Sequence, residues 1–243
     1  MSSGQTFLGR LLRLPLHLIP SDAELRILYG PLRGKKWIAG AGNNACWVGT
    51  YEIERLRAFA NAISPGATVY DIGANVGIYT LLAATKAGPS GTVYSFEPLD
   101  SNLQHLERHL KLNGVQNCNV LKVAVSNVNG MRRFCAASWD FSMGRLSPEG
   151  EIQVPSVTLD SCVYGEKNLR PPDVMKIDVE GAELEVLQGA ERIIAERHPV
   201  IFVEVHGTKE HADCCALLSL KGYHVAEHYG WLTATYTIGP QTK

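Results

Sequence analysis

The chain is 243 residues long, 45% hydrophobic and 19% charged, with a formal net charge of −1. That length can bury one sizeable α/β core, and with no basic cluster beyond Arg33-Gly34-Lys35-Lys36 an electrostatic grip on nucleic acid is not expected. The six cysteines (Cys46, Cys118, Cys135, Cys162, Cys214, Cys215) show no C-x-x-C or metal-finger spacing and follow no secretory signal, so reduced thiols in a cytoplasmic protein are expected.

Phe7 to Pro20 is apolar but broken by Arg10, Arg13, Pro15 and His17. It is too short and too charged to span a bilayer, which leaves a helix packed on the domain, a loose terminus or a membrane-surface helix. Tyr29 to Ile38 is turn-rich, and Gly40 to Asn44 reads as loop. Ile53, Leu56, Phe59, Ala60 and Ile63 recur at helical spacing until Ser64-Pro65-Gly66. Residues 1–64 are therefore expected to form an N-terminal extension with lid or substrate helices, and 65–243 the main domain.

From Ala67 strand and helix patterns alternate, as βαβ units require. Ala67 to Ile72 is a strand, Asp71 to Gly77 a glycine turn, and Ile78 to Thr85 a helix stopped by Lys86-Ala87-Gly88-Pro89. Thr92 to Phe96 is the second strand, closed by Glu97-Pro98; Leu99, Leu103, Leu106 and Leu110 mark a helix ending at Asn113-Gly114. Asn119 to Val125 reads as the third strand. Met131 to Phe134 and Ile152 to Thr158 read as an inserted hairpin, whose loop Trp139 to Gly144 is a candidate for acceptor contact. Asp173 to Asp178 is the fourth strand, Glu183 to Ile194 a helix with Glu183 and Glu185 on a solvated face, and Val200 to His206 the fifth strand. A helix through Leu217, Leu218 and Leu220 precedes a closing hairpin across Tyr229-Gly230. The expected fold is a single doubly wound, Rossmann-like α/β domain. It has a mainly parallel seven-stranded sheet with an antiparallel C-terminal hairpin, and everything after residue 64 lies in one sheet.

In such sheets ligands bind at the carboxyl ends of the strands, where strand order reverses. Carboxylates close four of the five: Asp71, Glu97, Asp178 with Glu180, and Glu204 beside His206. Glu97 falls about twenty residues after Gly77, where an acidic side chain would accept bonds from both ribose hydroxyls. The turn reads D-x-G-x-N-x-G and lacks the third glycine of a pyrophosphate-binding fingerprint. A carboxylate beside the ligand repels pyrophosphate and attracts an ammonium or sulfonium group, so adenosine with a cationic amino-acid tail, S-adenosylmethionine, is the expected cofactor.

The chain resembles class I S-adenosylmethionine-dependent methyltransferases of the FkbM type. The resemblance rests on Asp71-Ile-Gly-Ala-Asn-Val-Gly77, Phe96-Glu97-Pro98, Ala124-Val125-Ser126, Lys176-Ile-Asp178-Val-Glu180-Gly181-Ala-Glu183 and Val203-Glu204-Val205-His206. It implies that Asp71, Gly73, Asn75 and Gly77 hold the methionine part of the cofactor, with Tyr79 and Thr80 close by. It also implies that Glu97 and Pro98 sit at the ribose, that Ala124, Val125 and Ser126 line the adenine, and that an oxygen of a small molecule or sugar is methylated.

A sulfonium donor is already activated, so the protein mainly aligns the acceptor and excludes water; a hydroxyl acceptor gains from a base, a carboxylate needs none. His206 and Asp178 are the candidate bases, with Glu204 and Glu180 beside them. His206 is otherwise a strand-end histidine bonded to backbone, Asp71 a helix cap, and Glu180 either a cap or a substrate contact. Asp178, Glu180, Glu204 and His206 are chemically able to hold magnesium or manganese, yet no dedicated spacing demands it, so no metal is assigned. Two other readings are a non-catalytic binding module and a nicotinamide dehydrogenase, which needs the missing glycine. Acceptor specificity is expected in Trp139 to Gly144, Trp47 to Glu52 and Tyr229 to Trp231.

Overall fold

The computed structural model describes residues 19–136 and 144–237. The expectations for Phe7 to Leu18 and for the loop from Trp139 to Met143 lie outside the described residues. An antiparallel ribbon of β1 (Glu24–Arg26) and β2 (Lys36–Ile38) comes first. Its strands span three residues each, too short for an alternating pattern to register; the turns expected from Tyr29 are present through Gly34, and the reading is corrected at Lys36–Ile38, which is strand. α1 (Asn44–Val48) and α2 (Ile53–Ala62) follow, the latter burying Leu56, Phe59 and Ala60. The extension shares a core with the sheet: Trp37, Trp47 and Phe59 pack in one cluster with Val69, Leu81 and Leu82. Each fully buried leucine there contributes about 1.5–3 kcal/mol.

β3 (Thr68–Ile72) is buried along its whole length and turns into α3 (Ile78–Ala87), followed by β4 (Thr92–Phe96), α4 (Asp100–Leu112) and β5 (Cys118–Leu121). The strand predicted to run from Asn119 to Val125 is cut in two. Pairing of β4 with β5 stops at Phe96 and Leu121: Glu97 N–H makes the last bond to the Leu121 carbonyl, and the next donor on that side, Leu99 N–H, turns to the Glu97 carboxylate at 3.0 Å. Val123 N–H then folds back to the Leu121 carbonyl at 2.9 Å. β6 (Ala124–Val125) joins a second sheet with β7 (Gly130–Ala136), β8 (Gly144–Leu146) and β9 (Ile152–Val157), in the order β6-β9-β7-β8. The inserted hairpin is thus part of a four-stranded sheet, and not everything after residue 64 lies in one sheet.

α5 (Leu159–Tyr164), capped by Thr158, was not read from the sequence because six residues carry too little periodicity. After β10 (Val174–Ile177) the helix predicted from Glu183 to Ile194 divides into α6 (Glu183–Gln188) and α7 (Glu191–Arg197). The break falls at Gly189, where a Cβ would strike the Ser126 carbonyl. β11 (Val200–Val203), α8 (Thr208–Leu220), β12 (Tyr223–His228) and β13 (Trp231–Tyr236) complete the described chain.

The main sheet is the predicted one, seven-stranded in the order β12-β13-β11-β10-β3-β4-β5. β13 runs antiparallel to both neighbours and the remaining pairs are parallel. β4 and β5 build outward from one side of β3, and β10 and β11 from the other. Strand order therefore reverses between β3 and β10, which puts the turns after Ile72 and Ile177 side by side at the site-forming edge.

Candidate active site

The turn after β3 is built for close approach. Gly73 and Gly77 have φ of 74° and 91°, and Asn75 one of 50°. A Cβ on Gly73 would fall on the Asp178 carbonyl of the neighbouring turn, so only glycine lets the two turns meet. The Gly73 and Ala74 N–H groups both donate to the Phe96 carbonyl at 3.0 Å, fixing the turn to the end of β4.

Glu97, 4% exposed, stands beside it. Its Oε2 accepts from Asn75 N–H at 2.9 Å, and its Oε1 from Leu99 N–H at 3.0 Å and Asn102 Nδ2 at 3.2 Å. Burial pushes the Glu97 carboxyl pKa up, against these hydrogen bonds. Oε1 is filled by its two donors, whereas Oε2 retains room for one more.

Two cavities flank this turn. One is lined by Glu97, Pro98, Ala124, Val125 and Leu99 among others. The other is lined by Tyr51, Gly77, Tyr79 and Lys176 among others. Gly73, Asn75 and Asp178 line both. A long ligand with an apolar-faced ring at one end and a charged tail at the other fits across that shared wall, and the donor set of an adenosine with an amino-acid tail matches the residues present.

Asp71, Thr80 and Ser126 are fully buried and line neither cavity. Ser126 Oγ lies 2.8 Å from Ser156 Oγ. Thr80 donates to Asp71 Oδ2 at 2.6 Å. Asp71 was expected to face a cationic ligand; instead its cation is Lys176, which sequence reasoning quoted but gave no role. Parallel register sets Lys176 directly beside Asp71. Its Nζ donates to the Gly73 carbonyl at 2.8 Å and lies 3.5 Å from both Asp71 Oδ1 and Asp178 Oδ2. Burial alone would lower the Lys176 pKa, but Asp178 and Asp71 together hold it above the ordinary lysine range. The missed signal was a single charge inside the otherwise apolar strand Val174-Met175-Lys176-Ile177.

The expected catalytic quartet divides. Glu204 is taken up by structure: its Oε2 accepts from Arg55 at 2.7 Å and from Trp231 Nε1 at 3.1 Å. Arg55 also bonds Glu52 and the Tyr229 carbonyl, and Tyr79 Oη donates to Glu52 at 2.7 Å. This network joins two of the segments expected to set specificity. Asp178, Glu180 and His206 do come together. Glu180 adopts φ 56° and lines the first cavity, so it faces the ligand space, while the first turn of α6 has no side-chain cap.

Glu183 was expected on a solvated face but is fully buried; Glu185 pairs with Arg132 at 3.0 Å. Glu183 Oε1 accepts from Gly181 N–H at 2.9 Å and from His206 Nδ1 at 2.8 Å, and Glu180 Oε2 lies 3.4 Å from His206 Nε2. The Glu183 bond, aided by Glu180 and opposed by burial, pushes the His206 pKa up to about 9. Two carboxylates so placed favour the protonated ring of His206 wherever no other cation stands between them.

Residues 71–225 match the family model described as the Methyltransferase FkbM domain. Hexuronic acid methyltransferase AglP of Haloferax volcanii is 29% identical, over 69% of this chain and 68% of its own. The 31-O-demethyl-FK506 methyltransferase FkbM of Streptomyces tacrolimicus is 28% identical, over 59% of this chain and 67% of its own. A further relative, 28% identical, is spanned over 9% of its length. In fold, the chain is similar to the crystal structure of Methyltransferase FkbM from Methylobacillus flagellatus. The TM-score is 0.50 at 18% identity, covering 79% of this chain and 54% of that one.

Proposed function

The chain belongs to the FkbM methyltransferase family, whose methyl donor is S-adenosylmethionine, and we propose that it methylates a hydroxyl oxygen of a small molecule or sugar. The observation that carries this reading is the pair of cavities sharing Gly73, Asn75 and Asp178, with buried Glu97 at one end and Lys176 and Tyr79 at the other. When bound, S-adenosylmethionine supplies an activated methyl on a sulfonium. Glu97 Oε2 accepts from a ribose hydroxyl, Ala124 and Val125 lie against the base, and Gly73 to Gly77 bring bare backbone to the amino-acid tail. Asp178, at the junction of the cavities, accepts a hydrogen bond from the acceptor hydroxyl and so orients it in line.

The acidic mouth of Asp178 and Glu180 supports a neutral hydroxyl acceptor over a free carboxylate or a nucleic acid, both of which it would repel. The name of one relative, 31-O-demethyl-FK506 methyltransferase, points to a hydroxyl oxygen; the other, a hexuronic acid methyltransferase, points to a sugar. Among the described residues no helix is long and apolar enough to cross a membrane. The six free thiols support a cytoplasmic location.

Calorimetric titration with S-adenosylmethionine and S-adenosylhomocysteine tests the reading. Saturable binding, weakened at least about tenfold by Glu97→Ala, is expected; a folded protein that binds neither overturns it. Binding without turnover on any polyhydroxylated acceptor favours the non-catalytic module instead.

A further inference from the structure

Asp178, Glu180 and His206 each direct one ligand-type atom into a common space, all within 4.8 Å of one another. A divalent cation about 2–2.4 Å from each of three such atoms needs spacings of this order. Two further observations separate the cluster from an ordinary acidic patch. Glu183, fully buried, engages His206 Nδ1 at 2.8 Å while its Oε2 has no partner. A buried carboxylate on the far ring nitrogen is how metal-binding imidazoles are held in one tautomer, with the other nitrogen turned outward. Charge is also unmatched: among the described residues, Asp71, Asp178, Glu180 and Glu183 surround only Lys176 and His206, since Glu204 pairs with Arg55.

We propose that Asp178, Glu180 and His206 bind a divalent cation of the magnesium–manganese class, which holds the oxygen of the acceptor. Two carboxylates and one imidazole suit those ions better than thiolate-seeking metals. Asp178 lines both cavities and Glu180 the first, so the cation stands where acceptor meets donor. An acceptor O–H on the cation is acidified, and its proton passes to the free oxygen of Asp178 and on to solvent. The O–CH3 bond forms as the methyl–sulfur bond breaks, and the electron pair of that bond stays on sulfur. The acceptor role rests on the methyltransferase reading, whereas the cation site rests on the geometry alone.

Manganese is the probe. The purified full chain, stripped with EDTA and desalted, is titrated with Mn²⁺ while electron paramagnetic resonance reads the free ion. One Mn²⁺ per chain is expected, bound at least about tenfold more weakly by Glu180→Gln and by His206→Ala. Glu183 is a positioning residue: Glu183→Gln weakens binding by about 10–100-fold and moves the ring ¹⁵N shifts of His206, which lost packing alone would not do. Glu185→Gln, whose carboxylate is engaged by Arg132, leaves affinity unchanged. Thermal melts establish that each variant is folded. Absence of stoichiometric Mn²⁺ binding by folded wild type, or unchanged affinity in folded Glu180→Gln and His206→Ala, overturns the proposal. S-adenosylmethionine titrated in EDTA separates the two readings: binding there without Mn²⁺ uptake ends the cation site and keeps the methyltransferase reading. Mn²⁺ uptake lost in both variants, with no S-adenosylmethionine binding, does the reverse.

Discussion

His109 and His206 are driven to opposite charge states by their partners. His109 on α4 is fully buried beneath the N-terminal ribbon, its ring stacked on Trp37 at 3.6 Å. Its Nδ1 donates to the Val76 carbonyl at 2.8 Å and its Nε2 accepts from Ile38 N–H at 3.1 Å. Only the neutral ring can donate at one nitrogen and accept at the other, and burial pushes its pKa down to about 4. His206 sits half-exposed between two carboxylates, which push it up to about 9. A carbonyl and an amide make a rivet; two carboxylates make a charged site. One histidine joins the extension to the domain, and the other stands beside Asp178 and Glu180 at the edge of the cavities.

The largest expected effect is on the rivet. His109→Ala removes a buried ring and leaves Ile38 N–H without its partner, for a loss of roughly 3–5 kcal/mol in urea denaturation. His206→Ala should cost under about 1 kcal/mol in the same assay, because solvent screens its ion pairs. Equal losses would break the comparison. Acidification comes next. The folded pKa of His109 lies below its unfolded value, so the unfolded state binds more protons between about pH 6.5 and 4, and stability falls as pH drops through that window. The full effect is about 3 kcal/mol, read as the difference between wild type and His109→Gln at pH 7 and pH 4. His206 has the other sign: its contribution is complete below about pH 6.5 and is lost as pH rises through 9.

Sequence reading and structure part company along the same line. The seven strands of the main sheet were legible because βαβ units leave long periodic runs and because Asp71 to Gly77 and Glu97 are close in sequence to the strands they end. Whatever depends on register was not. Lys176 meets Asp71 only because β10 lies in register beside β3. Glu183 looked like one of several acids on a helix face, but α6 packs against α8 and the His206 ring meets its carboxylate. The small second sheet was hidden because the β4–β5 ladder ends where Leu99 N–H turns to the Glu97 carboxylate, a tertiary consequence with no local mark. His109 carried the helical spacing of its leucine neighbours, and nothing local said that Trp37 and Ile38 would cover it.

Glu183→Gln sharpens the comparison from the other side. With one carboxylate removed, the His206 ring followed by NMR should titrate at least one unit below its value of about 9, a change of about 1.4 kcal/mol between protonation states. A pKa that stays near 9 would mean that Glu180 alone holds the proton. The smallest effect belongs to the network between the two histidines' territories. Tyr79 is 4% exposed and donates to Glu52 at 2.7 Å, so Tyr79→Phe forfeits one hydrogen bond to a charged partner and leaves the ring packing on Phe59 and Trp231 in place. A loss of about 1–2 kcal/mol in stability is expected. Because Glu52 keeps Arg55 as a second partner at 3.1 Å, its charge stays matched. A loss beyond about 3 kcal/mol would show that Arg55 cannot hold Glu52 alone, and that the second cavity depends on Tyr79 as strictly as the ribbon depends on His109.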